Sequence, residues 1–589
     1  MPDAVLIFTF SPIQSFISEA RRTADLRVGS QILSRLAQGA AQAAVDAGAT
    51  LIYPELSTAN SAPNKIVVCT SWEAVSTVVD AMEKKFTEIW NEIQVSTQSQ
   101  ITRKGLPPID EEVWPRIWQR QCDHFWETYW SAARIEHGNY AQAYQLADQG
   151  LAARKRTRNF DEQSEEGIKD ALSGRRQALR TEAQDATVYW SQFSSQYPPS
   201  KLRPGEKLDA IGAIKRFSSL AAEEESRFPS TSTVASSDFL NLVVKNPDLA
   251  QLLSAYREKL EGLLKGHLFK ARPEHEDWPY DGDLLYVSTL TPVHLKRDYG
   301  VELTRQQILP AIAALKELTK AAGQVPSSYY AILVLDGDNM GQSISNCLKK
   351  NDAIGEHQKF SHSLSTFAEN AKISIANGFG ALVYNGGDDV LALLPLTTAF
   401  LVALELEETF FVTMKNPKAS IGMVIVHRGY PLSAALRSAR SAEERAKKYP
   451  GKNMIFVSLL KRSGETVECA ARPGDLRAYF ELLVQSFSGE TPWLSNRFHY
   501  DVAGLMRAVP TENDQTTHDI FASLIKYAIQ RHRNKALPEN SEEAQWLNDL
   551  PENLSNWAEK LFQQGIDYPA MEISHWIGLA RFIASGGDE

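Results

Sequence analysis

Two stretches decide the fold, YYAILVLDGDNMG (329–341) and ALVYNGGDDVLALLP (381–395). The first is an apolar run, 329–336, that ends in an Asp-Gly-Asp turn. Apolar residues on both faces suit a strand that is covered on both sides. The second predicts two strands joined by a tight turn at Gly386–Gly387, a short-hairpin signal. Outward from these, 341–376 is mainly helical, 396–415 is helical, SIGMVIVH (420–427) is a strand, 431–448 is helical and NMIFVSL (453–459) is a final strand. The order β-α-β-β-α-β, with one more helix and strand, is the ferredoxin-like plan of palm domains.

The start of the chain echoes that opening. AVLIFT (4–9) predicts a strand, about 13–45 a helix, and TLIYP (50–54) and KIVVCT (65–70) two further strands. A duplicated palm is expected. The stretch 71–148 is mainly helical and rich in tryptophan, with Trp90, Trp114, Trp118, Trp126 and Trp130 assigned to core packing. Residues 150–230 turn polar and begin with the basic RKRTR (154–158). The stretch 236–325 is mostly helical, broken by WPYDGDLLYV (278–287). Its Asp281–Asp283 is assigned to a structural turn, because no GGDD hairpin follows at a matching distance. Residues 471–589 predict helices and no strand. The expected class is therefore α+β. It comprises a first palm-like domain with a helical insertion (1–150), a linker region (151–325), a second palm (326–470) and a helical C-terminal domain (471–589).

The bulk composition narrows the setting. The 589 residues carry 62 Lys and Arg against 72 Asp and Glu, a net charge of −10, which excludes nucleic-acid binding by bulk charge alone. Cys69, Cys122, Cys347 and Cys469 lie at no metal-ligand spacing and are too sparse for a disulfide framework. A reducing, cytoplasmic setting fits them. No apolar stretch approaches the roughly 20 residues that span a bilayer, and the start has no basic leader segment. No membrane partner is expected.

The candidate chemistry lies in the two acidic turns. Asp336 ends its strand, and Asp388 and Asp389 follow the glycine turn. A ferredoxin-like sheet lays that hairpin beside the first strand, so Asp388 comes near Asp336. Three carboxylates so close repel one another unless cations neutralise them. Mg²⁺ or Mn²⁺ with oxygen ligands does so and also grips triphosphate oxygens. Two such ions lower the barrier for a 3′-hydroxyl attacking an α-phosphate. Gly337, Asp338 and Asn339, with Gly386 and Gly387, let the backbone approach the phosphates. Lys447, in AKKYPGKN (446–453), is placed to hold a β- or γ-phosphate, although a lysine is usually solvated. Ser361, on the helix after Asp336, is a candidate for nucleobase or ribose contact. RRTADLR (21–27) and RKRTR are weaker candidates for RNA or nucleotide contacts, with solvated faces the plainer alternative. No Walker-type loop or HExxH helix occurs, and His518–Asp519 lacks the further ligands of a metal phosphohydrolase.

These motifs together resemble the large polymerase/cyclase-like subunit of type III CRISPR effector complexes, Cmr subtype. FTFSPIQSFISEARRTADLRVGSQILS (8–34) is similar to that family's first palm. LDGDNMG (335–341) and YNGGDDVLALLP (384–395) resemble its second palm and GGDD site, and AKKYPGKN resembles the stretch before its last palm strand. The resemblance implies ATP as substrate, cyclic oligoadenylates as products, and partners in the other Cmr-type subunits, the guide RNA and the target RNA. It implies that Asp388 and Asp389 are the GGDD metal ligands and Asp336 their partner carboxylate. Two departures stand out. Met1 leads almost directly into the first palm, so the HD nuclease domain of many members, and DNA cleavage, are not expected. Many members also hold zinc with two Cys-x-x-Cys pairs. At the matching places, KDALSGRR (169–176) and EKLDAIGAIKRF (206–217), stand Asp170, Ser173, Asp209 and Gly212. A Cys₄ site is impossible there. No zinc is expected, and packing or hydrogen bonds among those residues should hold the segment.

Two other readings remain open on the sequence. One is a catalytically inactive scaffold and RNA-binding subunit of the same kind of complex. The other, a stand-alone diguanylate-type cyclase, fits poorly with two palms and a helical tail.

Overall fold

The computed structural model describes residues 2–56, 63–103, 109–110, 112–157, 165–199, 201–224, 228–268, 276–489, 491–512 and 514–587. The fold is α+β, with two separate sheets among the described residues.

The first sheet is built from β1 (Ala4–Ser11), β2 (Thr50–Tyr53), β3 (Lys65–Thr70) and β4 (Glu127–Arg134) in the order β2-β3-β1-β4. All its pairings are antiparallel. Its helices are α1 (Gln14–Ser18), α2 (Thr23–Asp46), α3 (Val75–Ile101), α4 (Val113–Cys122) and α5 (Tyr140–Arg156). Two differences from expectation have local causes. The single helix expected over about 13–45 is broken between α1 and α2, where the Asp25 carboxylate accepts from Arg22 N–H at 3.3 Å at the start of α2. The strand β4 falls inside the stretch expected to be helical. Its Thr-Tyr-Trp run suits a pleated edge, and β1 has a free side for it to pair with, from Ala4↔Arg134 to Ser11↔Glu127. Trp90, Trp114 and Trp118 are buried, whereas Trp130 on β4 is 41% exposed. Trp126, just before β4, meets Phe10, Phe16, Phe86 and Trp90 edge-on.

The middle of the chain contributes α6 (Ala186–Ser194), α7 (Ala210–Phe217), α8 (Ser219–Glu224), α9 (Thr231–Lys245), α10 (Pro247–Leu263), α11 (Pro292–Tyr299) and α12 (Arg305–Ala321). The segment in which Asp170, Ser173, Asp209 and Gly212 replace the cysteines is held by hydrogen bonds. Asp170 accepts from the backbone N–H of Leu172 (2.8 Å) and Ser173 (2.5 Å), and the Ser173 hydroxyl donates back to it at 2.6 Å. Asp209 caps α7 by accepting from Gly212 N–H at 2.6 Å. The Arg176 guanidinium bridges Asp209 and Glu19, so one organic cation ties the two turns to the first palm. At the other end of α7, buried Arg216 donates to Asp25 on α2 (2.6 Å) and to Glu206 (3.1 Å). RRTADLR is thus largely an internal joint: Arg22 also reaches the Lys201 carbonyl and Arg27 the Val383 carbonyl, both at 3.5 Å. RKRTR closes α5, and its Arg158 lies outside the described residues.

The second sheet holds β5 (Tyr329–Gly337), β6 (Ala381–Asn385), β7 (Asp389–Pro395), β8 (Ala419–His427), β9 (Ile455–Leu460) and β10 (Thr466–Ala471), in the order β10-β9-β8-β5-β7-β6. Its strands β6-β7-β5-β8 repeat the order β2-β3-β1-β4 of the first sheet. β9 joins β8 in parallel and β10 turns back on β9, so the strand expected to be last is followed by one more. The helices are α13 (Met340–Leu348), α14 (Ala353–Asn377), α15 (Ala399–Thr413) and α16 (Leu432–Ala446). After β10 come α17 (Pro473–Ser486), α18 (Phe498–Met506), α19 (Gln515–His532), α20 (Glu542–Gln563) and α21 (Pro569–Ala584). Both faces of β5 are covered. Ala331, Leu333 and Leu335 share a core with α14, α15 and the C-terminal helices, while Tyr330, Ile332 and Val334 share one with the first palm and α16. Among the described residues no helix is long and apolar enough to cross a membrane.

Replacing Arg216 with Met leaves Asp25 and Glu206 buried without their cation. This is expected to cost about 3–5 kcal/mol and to lower the melting midpoint of the chain clearly. Arg35→Met removes an exposed ion pair with Glu92 and is expected to cost under about 1 kcal/mol. Thermal denaturation of the two variants side by side checks the contrast.

Candidate active site

The β5–β7 ladder sets Asp336 directly opposite Asp389. Opposed residues in such a ladder lie about 4.5–5.5 Å apart at Cα. The next rung is a hydrogen bond from Gly337 N–H to the Asp388 carbonyl, 3.1 Å. The three carboxylates of the two acidic turns therefore share one end of the sheet. The hairpin closes through Gly386 N–H to the Asp389 carbonyl at 2.8 Å, with the Asn385 side chain accepting from Gly387 N–H at 3.2 Å. Each glycine has its own reason. Gly387 sits at φ +98°, where a side chain is strained. A Cβ on Gly386 would lie 2.2 Å from the Tyr384 hydroxyl oxygen.

Electrostatics follow from this crowding. Burial pushes the Asp388 carboxyl up to about 7, and the neighbouring Asp336 and Asp389 add to the rise. Burial pushes Asp389 up to about 6. Arg440 opposes that rise, while Asp336 and Glu443 add to it. Asp389 Oδ1 is buried and has no hydrogen-bond partner among the described residues. A cluster of carboxylate oxygens with one left over is a hard donor set that fits Mg²⁺ or Mn²⁺.

The other sequence candidates fall into place around the cluster. Lys447 Nζ contacts Asp336 and lies 2.6 Å from Glu443 Oε1. It is therefore not a free surface lysine. Gly337 packs tightly: a Cβ there would lie 2.8 Å from Met340 and Phe410. Asp338 turns away from the cluster. Its carboxylate accepts from the Ser420 hydroxyl and Asn453 N–H, each at 2.9 Å, and so pins β8 to the loop before β9. Asn339 adopts the left-handed conformation that starts α13, and its side-chain oxygen accepts from Lys452 Nζ at 2.9 Å. Ser361 is buried on α14, and its hydroxyl has no hydrogen-bond partner among the described residues. It shares a helix face with His357, which hydrogen-bonds Tyr140 of the first palm at 2.8 Å, and with Leu364, which flanks Gly387. Ser361 thus faces the seam between the palms.

Sequence reasoning missed five residues here. Arg440 lies 3.9 Å from Asp389, and Glu443 sits between it and Lys447 on α16. Lys452 pairs with Asn339. The spacing 440, 443, 447 was a visible signal, since it puts all three on one helix face. Tyr384 and Tyr53 flank the glycine turn, Tyr384 against Gly386 and Tyr53 of the first palm against Gly387. Burial raises both hydroxyls' pKa values, with nearby Asp388 contributing. No local pattern in the sequence marks Tyr53.

The second Asp-Gly-Asp, at 281–283, is consumed by its own surroundings. Asp281 accepts from Asp283 N–H and the Ser230 hydroxyl, and Asp283 accepts from the Tyr299 hydroxyl at 2.6 Å. His294 touches Asp283 and Asp298, but Arg297 donates to its Nδ1 at 2.9 Å and also clasps Asp298.

Comparison with known proteins agrees with this geometry. The profile "Cas10/Cmr2, second palm domain" matches residues 329–456, and "CRISPR-associated protein Cmr2, N-terminal" matches 5–95. A CRISPR system Cmr subunit Cmr2 of Pyrococcus furiosus is 32% identical over 257 residues, which is 37% of this chain and 29% of that protein. The chain thus matches less than a third of the length of this curated relative. In fold, it is similar to a chain of the type III-B Cmr-beta assembly in its apo state, with TM-score 0.62 at 12% identity, covering 99% of this chain and 82% of the other. It is likewise similar to a chain of Cmr-beta bound to cognate target RNA, with TM-score 0.63 at 12% identity, covering 100% and 83%. Both palm regions thus match domain profiles of Cas10/Cmr2 proteins in sequence, and the fold is that of the Cmr-beta chains.

Proposed function

We propose that this chain is a nucleotidyltransferase subunit of a type III, Cmr-like RNA-guided complex that converts ATP into cyclic oligoadenylates when target RNA binds. The observation that carries the reading is the pairing of Asp336 with Asp389, beside Asp388, at one end of the second sheet. A cluster of three carboxylates is costly unless it has a cationic job. The match of residues 329–456 to the second-palm profile supports the palm chemistry. The relative's place in a Cmr system, and the fold neighbour bound to target RNA, support the partners. The four regions 1–150, 151–325, 326–470 and 471–589 are proposed as first palm, linker, second palm and subunit-docking helical domain.

The residues divide the work. Asp336, Asp388 and Asp389 would hold divalent ions, which would acidify a 3′-hydroxyl toward the alkoxide and neutralise charge at the α-phosphate. Lys447 and Lys452 present ammonium groups beside Asp336 and Asn339, where a polyphosphate would lie. Gly386 and Gly387 keep the turn thin enough for that approach. Asp338 holds the loop carrying Lys452 in place through Asn453. Ser361 offers an unpartnered hydroxyl at the palm seam for a ribose or base edge.

Asp388→Ala with Asp389→Ala should abolish cyclic adenylate formation, by at least about 100-fold, while leaving complex assembly intact. Labelled ATP with Mg²⁺ or Mn²⁺, with and without target RNA, checks this, with products resolved by mass. Product that persists near the parent level in the double variant rules out the assignment. No product from the parent under either metal, with RNA still bound, favours the scaffold reading.

The raised carboxyls give a pH prediction. Protons compete with metal for Asp388 and Asp389 below about 7 and about 6, so Mn²⁺ affinity should climb between about pH 6 and pH 8. Without divalent metal the same shifts have the opposite sense for stability. A folded pKa above the unfolded value of about 3.9 means that stability falls as pH rises from about 4 toward 7. Melting midpoints across that range, with and without Mg²⁺, test both signs.

A further inference from the structure

Helix α16 lies unusually close to the sheet. A Cβ on Gly422 of β8 would be 2.1 Å from the Glu443 backbone nitrogen. This contact fixes where the next turns of α16 point. Arg440, Glu443 and Lys447 form one face, at i, i+3 and i+7. Lys447 reaches Asp336, and Arg440 reaches toward Asp389 at 3.9 Å. Each partner in the carboxylate ladder thus has its own cation, both supplied by one helix. Glu443, buried between them, holds Lys447 at 2.6 Å.

A divalent ion needs the same carboxylate oxygens that these two cations approach. Four carboxylates (Asp336, Asp388, Asp389 and Glu443) face two side-chain cations, so negative charge is in excess. Two divalent ions reverse that sign, and the side-chain cations are then repelled from the cluster. Arg440 has somewhere to go. It also lines a cavity of about 330 Å³ between α1 of the first palm and α16, together with Gln14, Ser15, Ser18, Arg437 and Glu444. Hydroxyl and amide groups of the first palm with the Arg440 guanidinium suit a phosphate there, while Arg437 and Glu444 at the rim offset each other in charge. Because the α16 backbone is wedged against Gly422, the exchange needs only side-chain rotation.

We propose that Arg440 is a phosphate-binding residue held in reserve by Asp389. It competes with metal for that carboxylate and, once metal binds, turns to the phosphates of a nucleotide in the cleft between α1 and α16. The inference rests on the metal-dependent nucleotidyl-transfer reading above. It gives two effects of opposite sign from one substitution, which a purely structural role would not.

The test is Mn²⁺ binding to the full-length chain without nucleotide, read by electron paramagnetic resonance, for the parent, Arg440→Gln, Arg440→Lys and Arg437→Gln. Arg440→Gln should bind Mn²⁺ roughly fivefold tighter or more, since a nearby competing charge is gone. Arg437→Gln, the same charge loss one turn away and exposed, should stay within about twofold. Arg440→Lys should stay close to the parent. With Mn²⁺ saturating, a non-hydrolysable ATP analogue should bind Arg440→Gln about tenfold more weakly. Unchanged or weaker Mn²⁺ binding in Arg440→Gln overturns the inference, as does an equal rise in Arg437→Gln. A parent that binds no Mn²⁺ removes the metal centre itself, and this inference with it.

Discussion

The antiparallel pairing of Asp336 with Asp389 is the constraint on which the rest of the site depends. Two carboxylates on neighbouring strands cannot move apart without breaking ladder hydrogen bonds, and Asp388 adds a third beside them. Their repulsion has to be met by positive charge. Helix α16 brings Lys447 and Arg440, and it can do so because Gly422 lets it rest against β8. The glycine turn serves the same end. One glycine supplies a left-handed backbone and the other clears the Tyr384 hydroxyl, so the acidic hairpin stays thin.

The two palms meet in a reciprocal way. Helix α16 of the second packs on α1 of the first, while α5 of the first packs on α13 and α14 of the second. The Tyr140–His357 hydrogen bond belongs to this second contact. The cluster therefore opens onto a seam rather than onto free surface. Tyr53 reaches the acidic turn across that seam, and Leu51 of β2 and Glu55 just beyond it add two links, Gln358 donating to the Leu51 carbonyl (3.1 Å) and His362 pairing with Glu55 (2.9 Å). The chemistry is lopsided even though the folds repeat. Where β5 ends in Asp336, β1 ends in Thr9, Phe10 and Ser11, tied down by Asn64.

Much of this was legible beforehand, and the misses share a cause. The inner strands of the second palm and its hairpin follow from continuous apolar runs bounded by Gly-Gly and Asp-Gly, signals that need no partner to interpret. β4 and β10 were missed because neither is apolar enough to announce itself, and each exists because an edge of β1 or β9 needed a partner. The break between α1 and α2 depends on Asp25, whose buried partner Arg216 lies 191 residues away. In the segment without zinc-binding cysteines, hydrogen bonding at Asp170, Ser173 and Asp209 could be anticipated from residue types. The bridging role of Arg176 could not, because Glu19 comes from another part of the chain.

By itself, the sequence determined the α+β class, the repeated palm and the identity of the three clustered carboxylates. Each rests on short-range pattern: period, turn residues and spacing along one strand or hairpin. Only the tertiary structure decided which cations answer those carboxylates, that Asp338 serves the scaffold rather than facing the cluster, and that the first palm touches the turn through Tyr53. Those are contacts between residues far apart in the chain. Their geometry is set by how helices and sheets pack, which no local run of residues encodes.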